Sequence, residues 1–250
     1  MTDEPSTQNK DGLWPMRLNK LIAYAGISSR RNAEQLIKQG KVSVNGEVVT
    51  TPFIEINTED EVRYKGKLVE PVQEFIYLLV NKPKNCISTV SDEKDRRTVL
   101  DLVKESKNYR LYPVGRLDRN TTGLIILTND GHLAQRLSHP SNEITKIYQV
   151  SLDKNIKPED LSKFQEGAEL EDGFLRPDAV NFTSDPGSQD LLIEIHSGKN
   201  RIVRRYFEHF GYTVVKLDRV YYAGLTKKLI GRGRYRKLTR EEIRNLKHFT

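Results

Sequence analysis

Residues 115–130 read GRLDRNTTGLIILTND, and the group in this stretch best suited to covalent chemistry is the carboxylate of Asp118. Arg116 and Arg119 flank it, and opposite charges a few ångströms away favour the charged form of a carboxylate. A short side chain held near the end of a strand has little freedom, which is what a nucleophile or general base requires. An Asp–Arg pair that only caps a loop satisfies the same R-x-D spacing, so the triplet alone leaves both readings open. The apolar run that follows, closed by Thr128, Asn129 and Asp130, reads as a strand and a turn able to hold the loop.

The elements around this stretch predict a domain of mixed character. FIYLLVNKP, LYPVGRL, GLIILTND, KIYQVSL and QDLLIEIHSG read as strands, and GHLAQRLSHP and NRIVRRYFEHFG as short helices. Consecutive strands without an intervening helix argue against a parallel βαβ array, so the expectation for residues 75–250 is an α+β domain with a mixed, largely antiparallel sheet. GRGRYRKLTREEIRNL, from Gly231, reads as a basic loop leading into a last helix with Thr239 as N-cap and Glu241 and Glu242 in its first turn.

Upstream, Leu18, Leu21, Ile22 and Ala25 follow helical spacing up to Gly26. ISSRRNAEQLIKQG predicts a second helix capped by Ser28 or Ser29, with Ala33, Leu36 and Ile37 as its apolar stripe and Gly40 as its stop. KVSVNGEVVT then predicts a hairpin turning at Asn45-Gly46. The expected organisation is a loose tail at 1–15, a small helical and hairpin domain at 16–64, a linker at 65–74 and the larger domain at 75–250.

Forty-one Lys and Arg against 34 Asp and Glu give a net charge of +7, concentrated in two places. Residues 196–250 carry 15 basic and four acidic side chains, and residues 17–41 carry six basic and one acidic, leaving the rest of the chain net acidic. Clusters of this kind suit a phosphate backbone, because each Lys or Arg on a phosphate releases condensed counterions. Arg17, Lys20, Arg30, Arg31, Lys38 and Lys41 form the first cluster, and Arg232, Arg234, Arg236 and Lys237 stand out in the second as phosphate contacts. Cys86 is the single cysteine, which excludes an intrachain disulfide and points to a reducing compartment. The longest apolar run, FIYLLV, is too short to span a bilayer, and the first fifteen residues lack a secretory pattern; a soluble, cytoplasmic, monomeric protein with no membrane partner is expected. His132, His139, His196, His209 and His248 show no ligand spacing, and no phosphate-cradling glycine loop occurs, so neither a metal nor a cofactor is expected.

GISSRRNAEQLIKQGKVSVNG resembles the S4 RNA-binding domain. GRLDRNTTGLIILTNDG resembles the signature of the RsuA-type family of ribosomal RNA pseudouridine synthases, and its large-subunit RluB/RluF-like branch in particular. The likeness continues in the family's order through NKP at 81–83, HPSNEITKIYQV at 139–150, EDGFLRPD at 171–178 and GKNRIVRRYFEHFG at 198–211. The resemblance implies that Asp118 is the nucleophile, that Tyr148 packs on the target base and is a candidate general base, and that Arg204 pairs with the aspartate. Lys199, Arg201 and Arg205 join the implied RNA contacts, and Arg116, two residues before Asp118, suits either a phosphate or base-flipping contact or a purely structural pairing. The family's G-R-N-R-Q-V-R-R stands here as GKNRIVRR: Lys199 keeps charge but loses the bidentate fork, and Ile202 removes a hydrogen-bonding group.

The implied activity is isomerisation of a flipped-out uridine in ribosomal RNA, 23S rather than 16S, with ribosomal RNA or an assembling subunit as partner and nothing consumed. The alternative is an RNA-binding assembly factor whose catalysis is incidental or lost.

Overall fold

The computed structural model describes residues 14–70, 74–183, 185 and 187–248, and the chain divides into two compact units, Met1–Phe75 and Ile76–Thr250. The first unit comprises β1 (Met16–Arg17), α1 (Leu18–Tyr24), α2 (Arg30–Lys38), β2 (Val42–Val44), β3 (Glu47–Val48), β4 (Glu55–Ile56), β5 (Val62–Tyr64) and β6 (Lys67–Leu68). Ser29 caps α2, its Oγ accepting from the Asn32 N–H at 3.1 Å, a bond that typically contributes about 1 kcal/mol. Ala33 and Ile37 turn inward with Leu18, Ile22 and Val42 to make the small core. Asn45 and Gly46 sit at φ +51° and +87°, the two positive values that the tight turn between β2 and β3 demands.

The expected boundaries shift at both ends of this unit. The tail expected at 1–15 lies outside the described residues up to position 13, but Trp14 packs against the small core. The expected linker at 65–74 is in part a second hairpin. Lys65 and Gly66 repeat the positive-φ turn, β6 pairs antiparallel with β5, and buried Val69 donates its N–H to Val62 O at 2.8 Å. Lysine at the first turn position concealed this turn, since Asn, Asp or Gly is the usual sign.

The second unit runs β7 (Tyr77–Lys82), β8 (Tyr112–Val114), β9 (Thr122–Thr128), α3 (Gly131–Ser138), β10 (Lys146–Leu152), α4 (Pro158–Glu166), β11 (Ala168–Leu170), β12 (Gly173–Leu175), β13 (Ala179–Phe182), β14 (Asp190–Ile195), α5 (Ile202–His209), β15 (Val214–Tyr222), β16 (Leu225–Thr226), β17 (Tyr235–Lys237) and α6 (Arg240–His248). Its main sheet has the order β13-β14-β10-β15-β9-β7-β17, with β8 added on β9 and β16 on β15. Every pairing is antiparallel except β9 with β15, so the sheet is mixed and largely antiparallel as expected. β7 and β9 are buried along their whole lengths, the signature of central strands covered on both faces.

Among the described residues, seven elements of this unit escaped the sequence pattern, namely α4, β11, β12, β13, β15, β16 and β17, of which three matter most to the sheet and core. β15 is interrupted by Lys216, Asp218 and Arg219, yet it lies in the middle of the sheet. α4 commits only Phe164 fully to the core, where its ring meets those of Phe207, Phe210 and Tyr212 edge-on. β17 falls inside the expected basic loop and pairs with β7. The final helix follows its predicted cap: Thr239 Oγ1 accepts from the Glu242 N–H at 3.1 Å while Glu242 Oε2 accepts from the Thr239 N–H at 2.8 Å.

Candidate active site

Asp118 lies on the loop at 115–121, between β8 and β9, four residues beyond the end of β8 rather than at the strand terminus. The loop is short and clamped on both sides of the carboxylate. Ser88 Oγ donates to Leu117 O at 3.0 Å and accepts from the Leu117 N–H at 3.1 Å, with the Leu117 side chain buried beneath. On the other side the Lys82 ammonium donates to Arg119 O at 3.3 Å and to Cys86 O at 2.6 Å. Asp118 itself therefore projects from a fixed backbone, with its side chain 41% exposed at the mouth of a cleft of about 490 Å³.

Downstream of the carboxylate, Thr122 Oγ1 donates to Asp218 Oδ1 at 2.8 Å and so ties β9 to β15. Gly123 explains the closeness of these strands. At φ +111° a Cβ on this residue would lie 2.3 Å from Arg219 O and 2.5 Å from Arg219 N, so only glycine admits the neighbouring backbone. Thr122 and Gly123 of the opening stretch thus meet a packing requirement of the strand pair that floors the cleft.

Tyr148 enters the cleft from β10, 8% exposed, with Arg219 of β15 as its cross-strand partner. Asp118 and Tyr148, 30 positions apart in sequence, line one cavity. Arg204 behaves differently from its implied role. Its Nη1 donates to Val214 O at 2.6 Å, and the ion pair to Asp118 among the described residues comes instead from Arg201, Nη1 to Oδ2 at 3.8 Å. Burial and the charge of Arg201 lower the Arg204 guanidinium's affinity for its proton, while the charge of Asp118 opposes them, so Arg204 feels the carboxylate without touching it. The reason is positional: Arg201 stands at φ +47° in front of α5, which brings its side chain over the cleft, whereas Arg204 faces β15 one turn later.

Lysines complete the electrostatic setting. Burial pushes the Lys82 ammonium down to about 8, Arg219 lowering it further and Asp118 working against the shift. Lys146, two residues before Tyr148, is also brought to about 8, by burial and by Arg219, and it donates to Ile144 O and His196 O, each at 2.7 Å. His196 Nδ1 lies 2.8 Å from Asp178 Oδ2 at the rim of the same cleft. Among the described residues no group of three or more His, Cys, Asp or Glu side chains could hold a metal ion.

A carboxylate on a clamped loop, a buried tyrosine across the cavity and surrounding cations thus meet in one cleft. The RNA pseudouridylate synthase family model matches residues 76–209, and the S4 domain model matches residues 16–62. This chain belongs to the RNA pseudouridylate synthase family. It is 44% identical over 235 residues to the ribosomal large subunit pseudouridine synthase B of Bacillus subtilis, covering 92% of this chain and 95% of that protein. A protein of Aquifex aeolicus named an uncharacterized RNA pseudouridine synthase is 38% identical, covering 92% and 93%. A crystal structure described as a pseudouridylate synthase superposes with a TM-score of 0.67 at 30% identity, covering 92% of this chain and 99% of that one. The synthase is an enzyme with an S4 domain ahead of its catalytic unit.

The residues expected to contact RNA separate into two groups. Arg17, Arg30, Arg31 and Lys38 of the S4 domain are exposed, and Lys20 is half-buried. Arg116 is exposed at the cleft, and Arg234 and Lys237 are exposed on and beside β17. The others pair with groups of the protein, Lys199 and Arg232 with side chains still 43% and 50% exposed. Arg205 grips Asp172 through two bonds of 2.9 and 2.8 Å, Lys199 donates to Asp172 O, Arg232 lies 3.2 Å from Asp218, and Arg236 holds Glu242 at 2.7 and 2.6 Å. Counting charges along the chain does not reveal these carboxylate partners, which folding supplies from other elements. Ile202 is buried on the cleft wall, so its replacement of the family's Gln adds apolar packing there.

The sequence pattern passed over Lys82, Ser88, Thr121, Lys146, Arg219 and the pairing of Arg201 with Asp118. Lys82, Thr121, Lys146 and Arg201 stood inside recognised blocks with no role singled out for these contacts, whereas Ser88 and Arg219 carried no signal beyond residue type.

Proposed function

We propose that the synthase converts a specific uridine of large-subunit ribosomal RNA, in the cytoplasm, into pseudouridine, with Asp118 as the nucleophile and the target nucleotide flipped out of its helix. The observation that carries this reading is the placement of Asp118 on a loop clamped at Leu117 and Arg119, in one cavity with Tyr148. The choice of ribosomal RNA is supported by the 44% identity to a protein named for the large subunit and by the exposed basic residues of the S4 domain. Arg30 and Arg31 open α2 at the helix end where the dipole favours anions, a placement that repays its cost when phosphate is bound.

In this scheme the target uridine leaves the stack at a cost of a few kcal/mol. Stacking on the Tyr148 ring recovers about 1–3 kcal/mol, and phosphate contacts from Arg116, Arg234 and Lys237 supply affinity without reading sequence. The carboxylate of Asp118 attacks the bound nucleoside, and the bond from C1′ to N1 breaks with its electron pair moving to the base. The base turns and C1′ joins C5, the bond that Asp118 had formed to the nucleoside breaks with its electron pair returning to the carboxylate, and the proton lost from C5 is balanced by one gained at N1, so the product is an isomer and the enzyme is regenerated.

The test is a pseudouridine map of both ribosomal RNAs in a strain lacking the gene, complemented with wild type or Asp118→Asn. The expected result is one large-subunit site restored by wild type and absent with the variant. Restoration by Asp118→Asn overturns the nucleophile, and a restored small-subunit site overturns the substrate.

A further inference from the structure

Two polar side chains in the floor of the cleft each leave one buried atom without a hydrogen-bond partner among the described residues. Arg219 is 3% exposed; its Nε donates to Leu124 O at 2.7 Å and its guanidinium lies 4.3 Å over the Tyr222 ring, but its Nη2 has no hydrogen-bond partner among the described residues. Thr121, 2% exposed, leaves its Oγ1 equally unmatched. Both line the cavity that holds Asp118 and Tyr148. A buried donor without a partner carries the full cost of its lost hydration, and such groups persist where a ligand completes them.

Their placement is built into the backbone. A bulge in β15 skips Val220 between the pairs Ile147–Tyr221 and Tyr148–Arg219, and Arg219 faces inward opposite Tyr148. Gly123 pairs with Arg219 in parallel register, and Thr121 lies two residues before it. No carboxylate forms an ion pair with Arg219, Lys82 or Lys146 among the described residues, and the charge of Arg219 contributes to the lowered affinity of both lysines for their protons, after burial. The floor is cationic and asks for an electron-rich ligand edge.

A flipped uracil presents such an edge: a carbonyl, an N3–H and a second carbonyl in a row. We propose that Arg219 and Thr121 read this edge, Arg219 Nη2 donating to a ring carbonyl oxygen and the Thr121 hydroxyl bonding the neighbouring position. The inference rests on the uridine-isomerising function proposed above. Arg219 then acts twice. If the oxygen it meets is O4, the one that 4-thiouridine alters, cytosine places an amino donor there, leaving donor against donor and rejecting the wrong base. When the C1′–N1 bond breaks and its electron pair moves into the ring, negative charge gathers on the carbonyl oxygens and the fixed guanidinium meets it without reorganisation.

The test is an enzyme–substrate double-substitution cycle. Single-turnover rates are measured, by mass-spectrometric detection of pseudouridine, on a ribosomal RNA fragment carrying uridine, 2-thiouridine or 4-thiouridine at the target, with wild type, Arg219→Lys and Thr121→Val. Sulfur accepts hydrogen bonds poorly, so wild type should lose roughly tenfold or more with one of the thio substrates. Arg219→Lys should be slower on uridine and lose little further with that substrate. Thr121→Val should show a reduced rate with a melting temperature at or above that of wild type, because it deletes an unmatched buried hydroxyl. Equal thio penalties in wild type and both variants, or no penalty in wild type, overturn the subsite. Wild type inactive on uridine would instead overturn the function on which it rests.

Discussion

Replacing Gly123 by alanine separates the close approach of β9 and β15 from every other feature of the site. The new Cβ would sit 2.3 Å from Arg219 O and 2.8 Å from Arg219 C, both backbone atoms of a central strand, where ordinary contact is about 3.4 Å or more. β15 must therefore retreat by roughly 1 Å, or the sheet must strain. A non-glycine residue at φ +111° adds backbone strain of about 1–3 kcal/mol, and overpacking adds about 1–3 kcal/mol. The sum, about 2–6 kcal/mol, is a large part of ordinary domain stability yet leaves many domains folded. For a unit of this size each kcal/mol moves the melting temperature by about 2–4 °C, so calorimetry should show a fall of roughly 5–20 °C. Activity should fall further than stability explains, because β15 carries Arg219 and a displacement of 1 Å in a reacting geometry costs about a hundredfold. Two controls calibrate the result. Gly198→Ala places its Cβ in open space, and Gly115→Ala, at φ +71° but also open, should cost only about 1 kcal/mol. A Gly123→Ala protein that melts with wild type and turns over RNA at the wild-type rate refutes the strand-contact argument.

Other expectations follow from the charges. Lys82 and Lys146 hold their protons less tightly in the fold, at about 8, than at the ordinary 10.5, so between these values the unfolded chain binds more protons and stability rises with pH. From pH 7.5 to 9 the gain should be about 1 kcal/mol per lysine in urea titrations; above pH 9 the Cys86 thiol, pushed up by burial, works in the opposite sense. A flat or falling profile from pH 7.5 to 9 contradicts the buried cations. The Arg201–Asp118 pair spans 3.8 Å with both side chains nearly half exposed, and such pairs contribute about 0–1 kcal/mol. Arg201→Met should therefore reduce single-turnover rates on saturating RNA by no more than about fivefold; a loss of a hundredfold would assign Arg201 to contact with the RNA rather than to the ion pair.

Local chemistry made much of this protein legible without coordinates. Ser29 and Thr239 announce helix starts because a hydroxyl followed by free N–H groups has one good use. Asn45-Gly46 announces a hairpin because few residue pairs accept two positive φ angles. Asp118 stood out through a string of residues that each constrain one short loop. Central strand β15 was hidden because its charged residues break the alternation that betrays a strand, and their burial is repaid only by distant partners: Thr122, Lys227 and Arg232 on Asp218, and Leu124 O on Arg219. Proximity in space likewise explains the pairing of Asp118 with Arg201 and of other basic residues with Asp172, Asp218 and Glu242. The amino-acid sequence by itself determined which groups could react and where helices and turns begin, since these depend on neighbours along the chain. Only the tertiary structure decided which charges meet within the protein and which, like Arg219, keep one N–H group unmatched in the cleft, because Coulomb and hydrogen-bond energies depend on distances through space that residue spacing does not contain.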